Sequence, residues 1–240
     1  MKQTVLTVTE NERLTESVFR MRLAGDAGEL RPGQFAELKL DGLYLRRPIS
    51  VCDYENGVLT LIYKTVGRGT DAMSRMAPGE KLDALTELGN GYDLEAETDR
   101  PLLVGGGVGV PPLYFLAKEL IKKGKNVSVT LGFNTASEVF YEDEFRKLGC
   151  EVALTTVDGS RGTKGFVTAA IPAFADRLYA CGPLPMLKAL MKTDIPGEMS
   201  LEERMGCGFG ACMGCSIQTV SGPRRVCKDG PVFKKEELLW

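Results

Sequence analysis

The run Leu102-Leu103-Val104-Gly105-Gly106-Gly107-Val108-Gly109-Val110-Pro111-Pro112 decides how the chain is read. Three large apolar residues make a buried strand, and the glycines let the backbone turn and approach a ligand closely. The prolines suit the first turn of a helix, where φ is already set and no N–H is needed. Exposed N–H groups at such a helix start face an anion, so a dinucleotide pyrophosphate can sit here. The run departs from the GxGxxG fingerprint, because position 110 is Val. Asn134 and Thr135 also stand at the end of the next strand, where an acidic residue would hold a ribose. Taken alone, a glycine-packed strand-to-helix turn explains the run equally well.

Downstream, strand-like runs at 127–133, 152–157 and 177–180 alternate with helix-like runs at 113–123, 142–148, 167–174 and 186–191. A further strand candidate lies at 199–203. That alternation predicts an α/β unit with a parallel sheet. Upstream the period drops to two: Phe19, Met21 and Leu23 alternate with Arg20 and Arg22, and Leu59, Leu61 and Tyr63 with Thr60 and Lys64. Asn56-Gly57 between the apolar runs 49–52 and 58–63 supplies the positive φ angles of a tight hairpin. Several short strands with turn signals predict a small antiparallel β-barrel. A polar, acidic stretch before residue 101 marks the junction, giving three expected regions: 1–98, 99–198 and a cysteine-rich segment 199–240.

Composition narrows the chemistry. The 240 residues are 43% apolar and 26% charged, enough for a proper core in one or two domains. Thirty basic and thirty-two acidic side chains leave a formal charge of −2, without the basic excess of a nucleic-acid binder. The chain has no histidine, which excludes Ser-His-Asp and Cys-His catalysis, His-ligated zinc or haem, and a histidine base. The first thirteen residues include Glu10 and Glu12 and no signal-like apolar run. The most apolar uncharged run, 101–117, is interrupted by four glycines and three prolines. The expectation is a cytoplasmic chain without a membrane segment. Seven cysteines in a reducing compartment do not suggest disulfides, and four of them crowd into 207–227.

Those four form Cys207-x4-Cys212-x2-Cys215-x11-Cys227, whose first three members have plant-type ferredoxin spacing. Gly206, just before them, and Gly208, Gly210 and Gly214 between them suit a backbone that wraps a [2Fe-2S] cluster and turns N–H groups toward sulfur. A four-cysteine zinc site competes, although such sites show two paired knuckles and Cys227 stands alone. Cys52 and Cys150 fit no metal spacing and read as core residues. Arg46-Arg47-Pro48-Ile49-Ser50 heads a barrel strand, where an arginine can grip phosphate and a serine can bond a ring nitrogen; a solvated strand end explains it as well. Gly67-Arg68-Gly69-Thr70 offers donors to an anion or simply caps a short helix at 71–76. Cys181-Gly182-Pro183 lies at the carboxyl end of a strand, the edge where ligands gather in α/β sheets, or else fills that end as a small apolar residue.

With these motifs in this order, essentially the whole chain resembles the ferredoxin-NADP reductase superfamily, a flavin-binding barrel followed by a nicotinamide-binding α/β domain. The cysteine run is similar to that of the electron-transfer subunits of class 1B dihydroorotate dehydrogenases. The resemblance implies FAD contacts at Arg47, Pro48, Ile49, Ser50, Ile62, Tyr63, Lys64, Gly69 and Thr70. It implies NAD across Gly105, Gly106, Gly107 and Gly109, with Cys181, Gly182 and Pro183 near the reacting ring and Cys181 in the catalytic position. The cluster ligands would be Cys207, Cys212, Cys215 and Cys227. It further implies a partner subunit carrying FMN, in a heterotetramer of two plus two, with electrons arriving through the cluster, gathering on FAD and leaving as hydride to NAD in pyrimidine synthesis. The absence of Arg or Lys beside Asn134 agrees with NAD over NADP. Two other readings stay open: a NAD(P)H-dependent reductase subunit serving ferredoxin, hydrogenase or an oxygenase, and a zinc-stapled nucleotide-sensing module.

Overall fold

The two-residue alternation places one face of each early strand inside. On β2 (Val18–Ala24), Met21 and Leu23 are fully buried, while Arg20 turns outward to Glu10 at 2.8 Å and Arg22 to the same carboxylate at 3.1 Å, both across to β1 (Lys2–Arg13). The computed structural model describes residues 1–240. With β3 (Phe35–Leu38), β4 (Arg47–Glu55), β5 (Val58–Lys64) and β6 (Lys81–Leu88), these strands close into an antiparallel barrel ordered β1-β2-β5-β4-β3-β6. The β4–β5 turn is Asn56-Gly57, with φ of 52° and 75° and Glu55 opposite Val58, the two-residue geometry whose twist matches the flanking strands. One short helix, α1 (Arg68–Ser74), interrupts the barrel before β6.

The second unit alternates as read: β7 (Pro101–Gly106), α2 (Pro111–Lys122), β8 (Ser128–Phe133), α3 (Glu142–Lys147), β9 (Glu151–Thr156), β10 (Thr163–Lys164), β11 (Arg177–Cys181), α4 (Leu184–Met191) and β12 (Gly197–Ser200). Strands β7 to β12 pair in parallel in the order β10-β9-β8-β7-β11-β12. The fold departs from the expected plan in two places. Residues 167–174 do not form a helix; only a 3-10 turn, Val167–Ala170, is present. Pro172 cannot donate to a continuing helix, and the Ala170 carbonyl is taken by the Thr130 hydroxyl at 3.1 Å. The strand expected at 199–203 ends at Ser200, and residues 201–205 are irregular.

The tail is part of the sheet. After the hairpin β13 (Ser216–Thr219) and β14 (Gly222–Arg225) and the one-turn helix α5 (Val226–Asp229), β15 (Val232–Lys234) adds antiparallel to β12. The expected division at 198–199 therefore falls within β12. Asn90, just past the barrel, grips the tail by donating to the Val232 carbonyl at 2.7 Å and accepting the Val232 N–H at 3.0 Å.

Barrel and α/β unit share one apolar core. Val18, Cys52 and Ile62 of the barrel pack in the same buried cluster as Val110, Leu113 and Leu116 around α2. At its rim Lys118 of α2 reaches Asp53 at 2.8 Å and Glu55 at 3.0 Å on β4. Cys52 and Cys150 lie inside, as expected, with burial pushing both thiols up, Cys150 to about 12. No helix is long and apolar enough to cross a membrane.

Candidate functional site

The carboxyl ends of β7, β8 and β11 open toward the barrel wall of β4 and β5, and a cleft of about 980 Å³ separates them. That is the upper size range of ligand clefts and accommodates dinucleotides. Pro48 and Ser50 on β4 and Lys64 on β5 line it from the barrel; Gly106, Gly107 and Gly109 line it from the turn before α2; Cys181, Gly182 and Pro183 line it from the end of β11. Segments far apart in sequence thus share one cavity wherever two parallel strands end side by side, as β7 and β11 do with Gly105 opposite Cys181.

The glycine run makes this approach possible. A methyl at Gly109 would stand 2.2 Å from the Cys181 carbonyl oxygen, so the two loops meet backbone to backbone. Gly105 has a different place: it is buried against Val110 and Leu113 and stays behind the cleft wall. Cys181 is half-buried at the wall, and its surroundings push the thiol up to about 12, chiefly by burial, so it remains protonated at neutral pH.

The remaining expected flavin residues, Arg47, Ile49, Ile62, Tyr63, Gly69 and Thr70, do not line the cleft. Tyr63 is buried in the barrel, stacked on Phe19 at 5.9 Å and donating its hydroxyl to Asn11 Oδ1 at 2.9 Å, while Ile62 belongs to the shared core. Neither lines the cleft; of the three expected residues on β5 only Lys64 does. Ile49 packs partly against the barrel core. Arg46 is committed to Asp83, at 2.9 Å to both its carboxylate and its carbonyl. Arg47 instead lies on Gly69, where a methyl would meet its Nε at 2.1 Å, so the Arg-Pro-x-Ser and Gly-x-Gly-Thr motifs meet in space. The Thr70 hydroxyl closes its own turn, accepting from Val66 N–H at 2.9 Å and donating to the Gly67 carbonyl at 3.1 Å.

The sulfur environment of the cysteine loop decides whether it suits an iron-sulfur cluster. Cys207 Sγ accepts the N–H groups of Ala211 at 3.2 Å and Cys212 at 3.4 Å. Burial opposes ionisation of Cys207, but these and the Phe209 N–H outweigh it and bring the thiol down to about 6. Cys215 Sγ accepts the Cys227 N–H at 3.4 Å. Cys227 is pushed up to about 12 by burial and by the neighbouring Cys215 and Cys207 sulfurs, a site that wants a cation. The Cys212 N–H points at the Cys207 sulfur and the Cys227 N–H at the Cys215 sulfur, each at 3.4 Å, so the four cysteines are arranged as two backbone-linked pairs. A binuclear cluster takes its four thiolates two to an iron, so the loop fits that group. The hairpin β13–β14 accounts for the eleven-residue gap, and Arg225 ties it to the loop through the Gly210 carbonyl at 2.9 Å.

Several lining residues carried no motif. Glu202, Glu203, Arg204 and Met205 wall the cleft immediately before Cys207, and Asn134, Glu138 and Phe166 wall its far side. Glu37 on β3 is more unusual: it is 1% exposed, neither carboxylate oxygen has a hydrogen-bond partner, and burial raises it to about 7. It abuts Gly208, where a methyl would stand 2.6 Å from Glu37 Oε1, so the cysteine loop rests on the barrel. Only the charge at an inward strand position hinted at it.

Comparison with known proteins agrees with this geometry. Residues 202–239 match the iron-sulfur cluster binding domain of dihydroorotate dehydrogenase B, and residues 103–192 match the oxidoreductase NAD-binding domain. The dihydroorotate dehydrogenase B (NAD(+)) electron transfer subunit of Geobacillus sp. (strain WCH70) is 48% identical over 256 residues, covering 100% of this chain and 99% of the relative. That of Fusobacterium nucleatum is 45% identical over 257 residues, covering 99% of each. Among solved structures, a chain of the NADH-dependent reduced ferredoxin-NADP oxidoreductase superposes with a TM-score of 0.89 at 32% identity over 99% of this chain and 90% of that one. A ferredoxin NADP+ reductase from Neisseria gonorrhoeae shares the fold, with a TM-score of 0.68 at 15% identity over 78% of this chain and 88% of that one.

Proposed function

The chain belongs to the family of dihydroorotate dehydrogenase B electron transfer subunits, and from that membership we propose that it carries electrons between a separate catalytic subunit and NAD. The partner is an FMN-containing subunit that oxidises dihydroorotate to orotate, in a cytoplasmic assembly of two copies of each chain. One observation carries the reading. Residues 200–205 wall the cleft and Cys207 follows two residues later, so the nucleotide site and the thiol loop are one piece of backbone.

When bound, FAD exchanges electrons singly or in pairs and a [2Fe-2S] cluster exchanges them singly, which joins hydride chemistry to a one-electron relay. The chain's own share is placement. Cys207, Cys212, Cys215 and Cys227 would hold the cluster. Arg47, Pro48, Ile49 and Ser50, the backbone of Ile62, Tyr63 and Lys64, and the turn at Gly69 and Thr70 would hold FAD. The backbone of Gly106, Gly107 and Gly109, supported from behind by Gly105, would receive the dinucleotide of NAD, with Gly182 and Pro183 closing on its nicotinamide end. Cys181 presents a neutral thiol there, so it places no anion beside the reacting ring. Hydride transfer needs no side-chain base, consistent with a cleft that holds no histidine.

Mixing the FAD-loaded chain with the FMN subunit tests the division of labour. Dihydroorotate-dependent NAD reduction is expected only in the mixture. Dihydroorotate turnover by the purified chain alone, or no gain on mixing, would overturn it.

A further inference from the structure

The end of β8 holds a pair of side chains joined by a turn. The Asn134 amide donates to Glu138 Oε2 at 2.9 Å, and the Asn134 N–H points at the same oxygen at 3.3 Å. A carboxylate can only accept, so the amide must turn its NH₂ toward Glu138 and leave its own oxygen outward. Neither Asn134 Oδ1 nor Glu138 Oε1 is engaged elsewhere, and both residues line the cleft. The turn is braced from the loop after β9: Ala136 N–H donates to Ser160 Oγ at 2.7 Å and Asp158 N–H to the Asn134 carbonyl at 3.2 Å. The pair is therefore a fixed surface of two free acceptors with one negative charge.

Glu138 is in no ion pair with a lysine or arginine. The only cations lining the cleft are Lys64, on the barrel, and Arg204, beyond β12; Arg161, on the β9 side, is bound to Glu142 at 2.7 Å. Phe166, 71% exposed, lines the same end of the cleft, because the adjoining Val167 packs on Gly132 two residues before Asn134. A bare aromatic face beside two acceptors suits adenine stacked on Phe166, with its ribose hydroxyls donating to Asn134 and Glu138. A 2′-phosphate in that position brings only acceptors and negative charge.

Resting on the assignment of the cleft to a nicotinamide dinucleotide, we propose that Asn134 and Glu138 form the reader that admits NAD(H) and refuses NADP(H). The acid sits not at the strand end, where a dinucleotide site usually carries it, but four residues on, and folds back through Asn134.

Calorimetric titration of the full-length, FAD-loaded chain with ADP-ribose and with its 2′-phosphorylated form reads the pair directly, without turnover. The unaltered chain should prefer ADP-ribose by about a hundredfold or more, and Glu138→Gln should narrow that ratio about tenfold. Asn134→Arg, which offers a guanidinium to the phosphate, should narrow it further or invert it. NADH and NADPH reduction of the flavin should follow the same ratios. Ratios unchanged within about twofold in both variants, or equal weakening of both ligands in Glu138→Gln, would make the pair a loop brace and overturn the proposal. An unaltered chain that binds neither ligand would overturn the nucleotide assignment as well.

Discussion

Glu37 shows what a single residue can cost. Its carboxyl is buried by β3 and the cysteine loop without a partner, and is raised from 4.5 to about 7, chiefly by burial, with Cys207 adding to it and Arg46 and Arg47 opposing. Between those two values the folded chain holds a proton that the unfolded chain has released, so stability falls as pH rises through that window. Glu37→Gln should therefore raise the melting temperature at about pH 8, by no more than about 3 kcal/mol of stability, and the gain should fade toward about pH 5. Melting curves across that range check it, and a gain independent of pH would count against the buried-charge account. Cys212 belongs to the same scale. Cys212→Ser should lower the iron and sulfide content of the purified chain while most of its FAD stays, because the flavin motifs lie on the barrel.

At the scale of elements, the hairpin β13–β14 and helix α5 carry Cys227 back to the other three cysteines, and Arg225 secures that return. It donates to the Gly210 carbonyl at 2.9 Å and pairs with Asp229 at 3.2 Å. Arg225→Ala should loosen that return and show first as a reduced iron-to-flavin ratio. The two loops of the cleft depend on a different device, the bare backbone of Gly109 against Cys181. Gly109→Ala must push them apart and should raise the NADH concentration that half-saturates flavin reduction about tenfold or more, with bound FAD unchanged. These element roles were legible unevenly. The Asn56-Gly57 hairpin and the strand into Gly105 could be read because their signals are local in sequence. The helix expected at 167–174 failed because Val167 packs on Gly132 and Pro172 stops the turn, a tertiary contact and a missing donor outweighing apolar spacing.

For the whole molecule, barrel and α/β unit should unfold together, because Val18, Cys52 and Ile62 bury into the core built on α2. Lys118 adds polar contacts with Asp53 and Glu55 across the same interface, its side chain and that of Asp53 only 13% and 18% exposed. Lys118→Ala should lower stability by about 1–3 kcal/mol and leave one calorimetric transition, since the apolar contact carries the coupling. Two separated transitions would show that the ion pairs hold the units together.

By itself the sequence determined the barrel, the parallel sheet, the cysteine set and the exclusion of histidine chemistry, because alternation, glycine placement and ligand spacing are properties of neighbouring residues. Only the tertiary structure decided which of these meet. Closing the barrel laid Arg47 on Gly69, and pairing β7 with β11 put the glycine turn against Cys181. Adding β15 to β12 folded the cysteine loop onto Glu37 and joined it to the cleft, where the sequence alone showed a tail beyond the nucleotide domain. The fold of Glu138 back onto Asn134 was equally invisible, since a carboxylate four residues past a strand gains a role only through the turn that returns it. Such encounters depend on strand order and loop closure, which local pattern does not encode.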